Sequence, residues 1–177
     1  MANQNKLHVY TGNGKGKTTA AMGLALRGVG HGRNVLVAQF MKKGNSGELT
    51  AFRAFENVRV MVAPPIKGFT FRMTDEEKQA TFREQTSFAE QIRAAVGEFH
   101  PQTVVLDELG MALAAHMVDE GVARALIDAS LACAETVVTG HDVPAWLTER
   151  ADYLSRITAE KHPYVSEKLP ARKGVEW

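Results

Sequence analysis

The chain has 177 residues, of which 45% are apolar and 23% charged, with 15 Gly and 6 Pro; this fits one ordinary globular core and excludes low-complexity or disordered character. A formal net charge of +1 gives no reason to expect a polyanion surface, so no nucleic-acid partner is expected. No apolar run approaches the ~20 residues that span a bilayer, so no membrane association is expected and the chain reads as cytoplasmic.

Short apolar runs alternate with longer amphipathic stretches, which predicts an α/β fold: a mostly parallel sheet with helices on both faces. The first strand reads Lys6 to Tyr10 and feeds a glycine loop. From Lys17 to about Val29, Ala, Leu and Met recur at helical spacing, and Gly28, Gly30 and Gly32 end that helix. A second strand is expected over Asn34 to Phe40, followed by a polar segment from Lys42 to Glu48, and a third over Val58 to Val62. Pro64-Pro65 breaks the backbone, and the segment Ile66 to Phe71 makes a loop with high aromatic content.

Thr74 and Glu77 form a capping-box pattern at the head of a long helix. Phe82, Phe88, Ala89, Ile92, Val96 and Phe99 recur at mostly three and four residue steps, so they are expected on the sheet. His100-Pro101 closes that helix, and the apolar run Thr103 to Leu106 predicts a central strand ending on Asp107-Glu108. A helix from about Asp119 to Ala132, with Val122, Ala125, Leu126 and Ala129 inward, precedes a strand over Thr136 to Thr139 and the turn Gly140-His141-Asp142. After Pro144 come a short helix and the run Tyr153 to Thr158. The whole chain, 1–177, is read as one domain, with a short tail over 1–5 and a polar tail over 159–177. The lone Cys133 can form neither an internal disulfide nor a thiolate metal cage, and its apolar neighbours predict a small core residue.

The strongest chemical signal is the glycine loop. Gly12, Gly14 and Gly16 let backbone N–H groups converge on an anion at the start of a helix. Lys17 adds positive charge and Thr18 a hydroxyl for Mg²⁺. The generic pattern G-x-x-x-x-G-K-[ST] is not strictly met, because Thr11 stands five before Gly16. A carboxylate at the carboxyl end of a strand, here Asp107-Glu108, can hold Mg²⁺ directly or through water. Alone, an acidic pair after a strand is more often a helix N-cap or a solvated turn; the glycine loop reverses that reading in favour of the metal. Phosphotransferase, ATPase and nucleotide-dependent switch all remain open at this stage, while the absence of Asn-Lys-x-Asp disfavours a small GTPase.

These residues resemble one family, the ATP:corrinoid adenosyltransferases, over about Lys6 to Trp177. The matching segments are Thr11 to Ala21, Arg27 with Gly30-His31-Gly32, Gln39-Phe40, Gly47-Glu48, Gly68-Phe69-Thr70, Val104 to Leu109, Val138-Thr139-Gly140 and Lys161-His162. The Thr that breaks the generic loop pattern belongs to this family's own loop. The resemblance implies a RecA-like P-loop fold that binds Mg²⁺ and ATP and takes a reduced corrinoid, either cobalamin or cobyrinic acid a,c-diamide, as acceptor. It implies ATP contacts from Gly12, Asn13, Gly14, Lys15, Gly16, Lys17, Thr18 and Thr19, with Arg27 and Glu48. Thr18, Glu108 and Asp107 are implied at the metal.

By the same resemblance Phe69 and Phe71 are the rings that exclude the corrinoid's lower axial ligand, with Phe71 where the better-known pattern has Trp. Read without the family, two Phe in a loop are a satellite core cluster. His141 stands where relatives often have Arg. Only about five residues precede the first strand, where relatives often carry an arm over the site, so enclosure of the substrate is expected to be weaker or to come from elsewhere. A homodimer is expected. With one Cys and no flavin or iron–sulfur motif the chain has no evident redox group, so an external electron donor, of flavoprotein class, is expected to supply Co(I).

Overall fold

The computed structural model describes residues 4–66, 68 and 72–175. Six strands form one sheet: β1 (Leu7–Thr11), β2 (Val35–Gln39), β3 (Val58–Val62), β4 (Thr103–Asp107), β5 (Glu135–Gly140) and β6 (Tyr153–Arg156). Their order is β3-β2-β4-β5-β1-β6 and every pairing is parallel. One strand, β5, therefore separates the strand before the glycine loop from the strand that ends on Asp107. This is the RecA-like P-loop arrangement.

The helices are α1 (Lys17–Gly30), α2 (Gly47–Phe52), α3 (Asp75–Phe99), α4 (Leu109–Ala114), α5 (Glu120–Cys133), α6 (Ala145–Arg150) and α7 (Pro163–Glu167). Alternation along the buried strands sorts side chains to the two faces of the sheet. Leu36, Ala38, Val104, Leu106 and Val138 face a core with α3, α4, α5 and α6, whereas Val35, Val37, Val105 and Val137 face α1 and α2. Burial on both faces explains why β2 and β4 read as continuous apolar runs. Both ends of α3 are set locally. At its head Thr74 accepts from Glu77 N–H, and the Glu77 carboxylate accepts from Thr74 N–H; at its tail His100 adopts φ 47° and turns the chain out.

Several expectations need correcting. Phe82 is 37% exposed, and the buried stripe of α3 begins instead on Thr81 and Gln85. Gln85 is tolerated there because its amide accepts from Met41 N–H and donates to the Pro64 carbonyl. On α5 the fully buried face is Ala123, Leu126, Ile127 and Ser130, one step round from the expected one, and the Ser130 hydroxyl is satisfied by the Leu126 carbonyl. Cys133, the last residue of α5, is exposed. The short helices α2, α4 and α7 fall in stretches without a helical hydrophobic period. Among the described residues no helix is long and apolar enough to cross a membrane.

Candidate active site

The carboxyl ends of the strands converge on one edge. Thr11 is level with Gly140 and Arg156, and Gln39 with Asp107, so loops leaving β1, β2, β4 and β5 share a corner. In doubly wound sheets this edge is where ligands bind. A cleft of about 650 Å³ opens here, lined by the loop residues Gly14 to Thr19, by Gln39, Met41, Lys42 and Lys43 after β2, and by Glu48 and Glu108.

The glycine loop is walled by the chain that follows β6. Gly14 N–H donates to the Ile157 carbonyl at 2.8 Å, and Asn13 Oδ1 accepts from Ala159 N–H at 3.0 Å. Gly12 has φ +107°, and a Cβ there would lie 2.5 Å from the Ile157 oxygen. Only glycine serves a loop pressed this closely. Lys15 reaches the Val175 carbonyl. The Lys17 ammonium donates to the Gly14 carbonyl at 2.8 Å, and burial, with the nearby Lys42 charge, pulls its pKa below the usual lysine value against the opposing pull of Glu108.

Asp107 is fully buried at the end of β4. A buried carboxylate is costly unless its lone pairs are met, and four groups meet them. Thr18 and Thr139 hydroxyls donate to Oδ1 at 2.8 and 2.7 Å, while Gln39 Nε2 and Lys42 Nζ each donate to Oδ2 at 2.9 Å. Burial pushes this carboxyl's pKa up, but the Lys42 ammonium and these hydrogen bonds outweigh it and hold the group below the usual carboxylate range. Burial likewise depresses Lys42, and Asp107 and Glu108 carry it above the usual lysine value. Glu108, at φ 63°, turns its side chain toward the same corner, where Oε1 lies 3.4 Å from Lys42 Nζ.

The residues present fit a hard divalent cation. Among the described residues no three His, Cys, Asp or Glu side chains form a protein-only cage, but Thr18, Asp107 and Glu108 bring oxygen donors to one point. Few protein oxygens, with the remaining ligands left to phosphates and water, is how Mg²⁺ is usually held. Gln39 Oε1 is buried without a hydrogen-bond partner among the described residues, so an acceptor stands ready beside the same carboxylate.

The structure thus gathers Gly14, Lys15, Gly16, Lys17, Thr18, Thr19, Glu48 and Glu108 on one cleft, with Asp107 beneath and Gly12 and Asn13 at the loop's base. Arg27 stands apart. It is ten residues beyond Lys17, roughly 15 Å along α1 at ~1.5 Å per residue, and lines a separate cleft with His31, Arg33 and Glu135. Phe69 and Phe71 lie outside the described residues. Lys42 carries no signal in the sequence beyond its place just after a strand's carboxyl end, which is the one pattern that points to it.

A family model described as ATP:corrinoid adenosyltransferase BtuR/CobO/CobP matches residues 3–177. The chain is 36% identical to a corrinoid adenosyltransferase of Pseudomonas aeruginosa over 97% of its own length and 83% of the relative's. It is 35% identical to a corrinoid adenosyltransferase of Escherichia coli K12, covering 96% of this chain and 84% of that one. A third relative, corrinoid adenosyltransferase CobA of Salmonella typhimurium, is 29% identical over 96% and 84% of the two chains. With the loop, the acidic pair and the sheet order in place, the chain belongs to the ATP:corrinoid adenosyltransferase family.

Proposed function

We propose that the protein transfers the 5′-deoxyadenosyl group of ATP to the Co(I) of a corrinoid and releases tripolyphosphate. The observation that carries this reading is the joining of the glycine loop to the Thr18, Asp107 and Glu108 oxygens within one lysine-lined cleft. In the reaction the Co(I) electron pair forms the Co–C5′ bond, the C5′–O bond breaks, and its electron pair departs on the triphosphate. Charge builds on the leaving group, so the groups that matter are those that bind it more tightly as it leaves.

Gly14, Gly16, Lys15 and Lys17 hold the triphosphate, with Thr19 and Glu48 completing the ATP contacts, while Gly12 and Asn13 anchor the loop. Lys17 exchanges the Gly14 carbonyl for a phosphate oxygen. Bound Mg²⁺ supplies further neutralisation of the triphosphate. Thr18 and Glu108 would hold it, and Asp107, by accepting the Thr18 hydroxyl hydrogen, leaves a Thr18 lone pair facing the ion. No residue need activate water, because no water attacks.

Phe69 and Phe71, by family resemblance, displace the lower ligand of a cobalamin or a cobyrinic acid a,c-diamide. One cysteine in the chain is too few for an iron–sulfur centre, which favours an external donor for Co(I); a flavoprotein-class donor is the reading adopted. The protein works in the cytoplasm as a homodimer forming a single domain per chain.

Anaerobic incubation with Mg-ATP, a corrinoid and a strong reductant tests the reading. The expected products are an adenosylated corrinoid and intact tripolyphosphate. ADP and orthophosphate without a corrinoid-dependent change would replace it with a phosphotransferase or ATPase.

A further inference from the structure

The Lys42 ammonium touches three side chains at once. Nζ lies 2.9 Å from Asp107 Oδ2, 3.1 Å from Thr18 Oγ1 and 3.4 Å from Glu108 Oε1. The Thr18 and Glu108 oxygens are the donors assigned above to the divalent ion, and Asp107 is the carboxylate behind them. A Mg²⁺ ion sits ~2.0–2.1 Å from its ligands, so an ion bound on the side of these oxygens that Nζ now fills would collide with the ammonium. Two cations that close, over a carboxylate with no exposed surface, repel strongly. Lysine and ion therefore compete for one position.

We propose that Lys42 is a positioning residue that acts as a built-in counterion: it occupies the divalent-ion position in the nucleotide-free protein and moves to the triphosphate when metal and nucleotide enter. This rests on the reading of Thr18 and Glu108 as the ion's holders, with Asp107 orienting Thr18. Three features support the exchange. Asp107 keeps hydrogen bonds from Thr18, Thr139 and Gln39 when Lys42 departs, so the buried carboxylate is never stripped of partners. The backbone beneath Lys42 is fixed, since Met41 holds φ 58° and its N–H donates to Gln85 Oε1; the ammonium moves by its own side-chain torsions. Lys42 and Lys43 both line the cleft that the loop lysines Lys15 and Lys17 face, so a triphosphate lies within the cleft this side chain already borders.

The exchange explains how one pocket stays folded without ligand yet admits a metal-bound trianion or tetraanion. The acidic corner is neutralised in both states, and the freed ammonium adds a positive charge to the leaving group without a change of backbone.

Mn²⁺ serves as the probe, measured by the loss of its free-ion electron paramagnetic resonance signal on titration with the full chain. In the absence of nucleotide, Lys42→Met is expected to bind Mn²⁺ at least about tenfold more tightly than the parent, a difference of ~1.4 kcal/mol, and Lys42→Arg to bind it no more tightly than the parent. Thermal melts give a second readout. Millimolar Mn²⁺ alone raises the Tm of Lys42→Met by more than that of the parent, because the ion restores the missing charge; a variant that folds only with the ion meets the same expectation. Mn²⁺ affinity and Tm response equal to the parent's overturn the counterion role. A separate arm isolates the reading beneath it: Thr18→Val should weaken Mn²⁺ binding in the presence of ATP. If Thr18→Val has no effect there, the ion site itself is misassigned and the counterion role falls with it; if it weakens binding while Lys42→Met matches the parent, only the counterion role falls.

Discussion

Asp107 and Thr139 are joined across adjacent strands by a 2.7 Å hydrogen bond, and the same Thr139 hydroxyl accepts the Glu108 backbone N–H at 2.9 Å. One hydroxyl thus fixes both members of the acidic pair, using its single hydrogen on the first and a lone pair on the second. Thr139→Val keeps the shape and removes both bonds, leaving the Glu108 N–H without its acceptor. The expected cost is ~1–3 kcal/mol of stability, read from urea unfolding, together with a fall in kcat; Thr139→Ser should recover most of both. An unchanged kcat in the Val variant would separate Thr139 from the function of the pair.

The loop's fit against Ile157 makes a steric prediction. Gly12→Ala places a Cβ 2.5 Å from a backbone oxygen at φ +107°, so it should destabilise the fold by more than ~2 kcal/mol and abolish ATP binding. Gly23 supplies the contrast. It is exposed within α1 and a Cβ there meets nothing within 4 Å, so Gly23→Ala should raise stability by ~0.5–1 kcal/mol. Thermal or urea melts of the two variants give opposite signs if the loop's packing is as described.

Lys17 is held by a carbonyl of its own loop rather than by a carboxylate, which leaves its charge available to phosphate. Lys17→Ala should weaken ATP binding by roughly a hundredfold, about 2.7 kcal/mol, in isothermal titration calorimetry. A change of only a few-fold would mean that the backbone N–H groups carry the triphosphate without it.

Phe71 is expected to act on the acceptor and not on the nucleotide. Phe71→Ala should bind ATP as the parent does, yet turn over more slowly when a mild reductant must convert Co(II) to Co(I). Equal turnover of variant and parent under mild reductant removes Phe71 from the exclusion of the lower axial ligand.

At the opposite end of the sheet Asp152 ties β1 to the entry of β6, its carboxylate accepting Leu7 N–H at 2.9 Å and pairing with Lys6 at 3.3 Å. The Leu7 N–H, with the Lys6 charge behind it, holds this carboxyl below its ordinary pKa. A depressed folded-state pKa stabilises above the unfolded value, near ~3.9, and that contribution is lost as pH falls through the folded value. Asp152→Asn should therefore lower Tm at neutral pH, and the gap between parent and variant should close as the pH is taken below about 4. A gap that persists in acid would place the effect in packing instead of charge.

How far the fold could be read in advance depended on where apolar periodicity and function coincide. Val35 to Gln39 and Thr103 to Asp107 are legible because strands covered on both faces must be apolar throughout. The cap at Thr74 is legible because its partners are three residues apart. Gln85 was not, since a polar side chain is buried on α3 only through partners at Met41 and Pro64, far away in sequence. Phe82 is apolar by type, yet that same stripe turns it outward. In the site, the loop and the acidic pair carry local patterns, whereas Lys42 after a strand looks like any solvated lysine until Thr18, Asp107 and Glu108 are brought around it. Arg27 shows the converse, a residue placed by resemblance that one copy of the chain holds apart from the cleft.

The wall that Ile157 and Ala159 build against the glycine loop bears on the order in which the protein can become functional. In chain order the loop comes first, complete in every motif position, and the segment that gives it shape follows more than a hundred residues later. A nascent chain halted ahead of Ile157 would display the whole phosphate signature and have no finished cradle for it. A bound nucleotide is therefore expected to favour the chain in which the segment after β6 has closed on the loop, so removal of that segment should weaken nucleotide binding even with every loop residue in place.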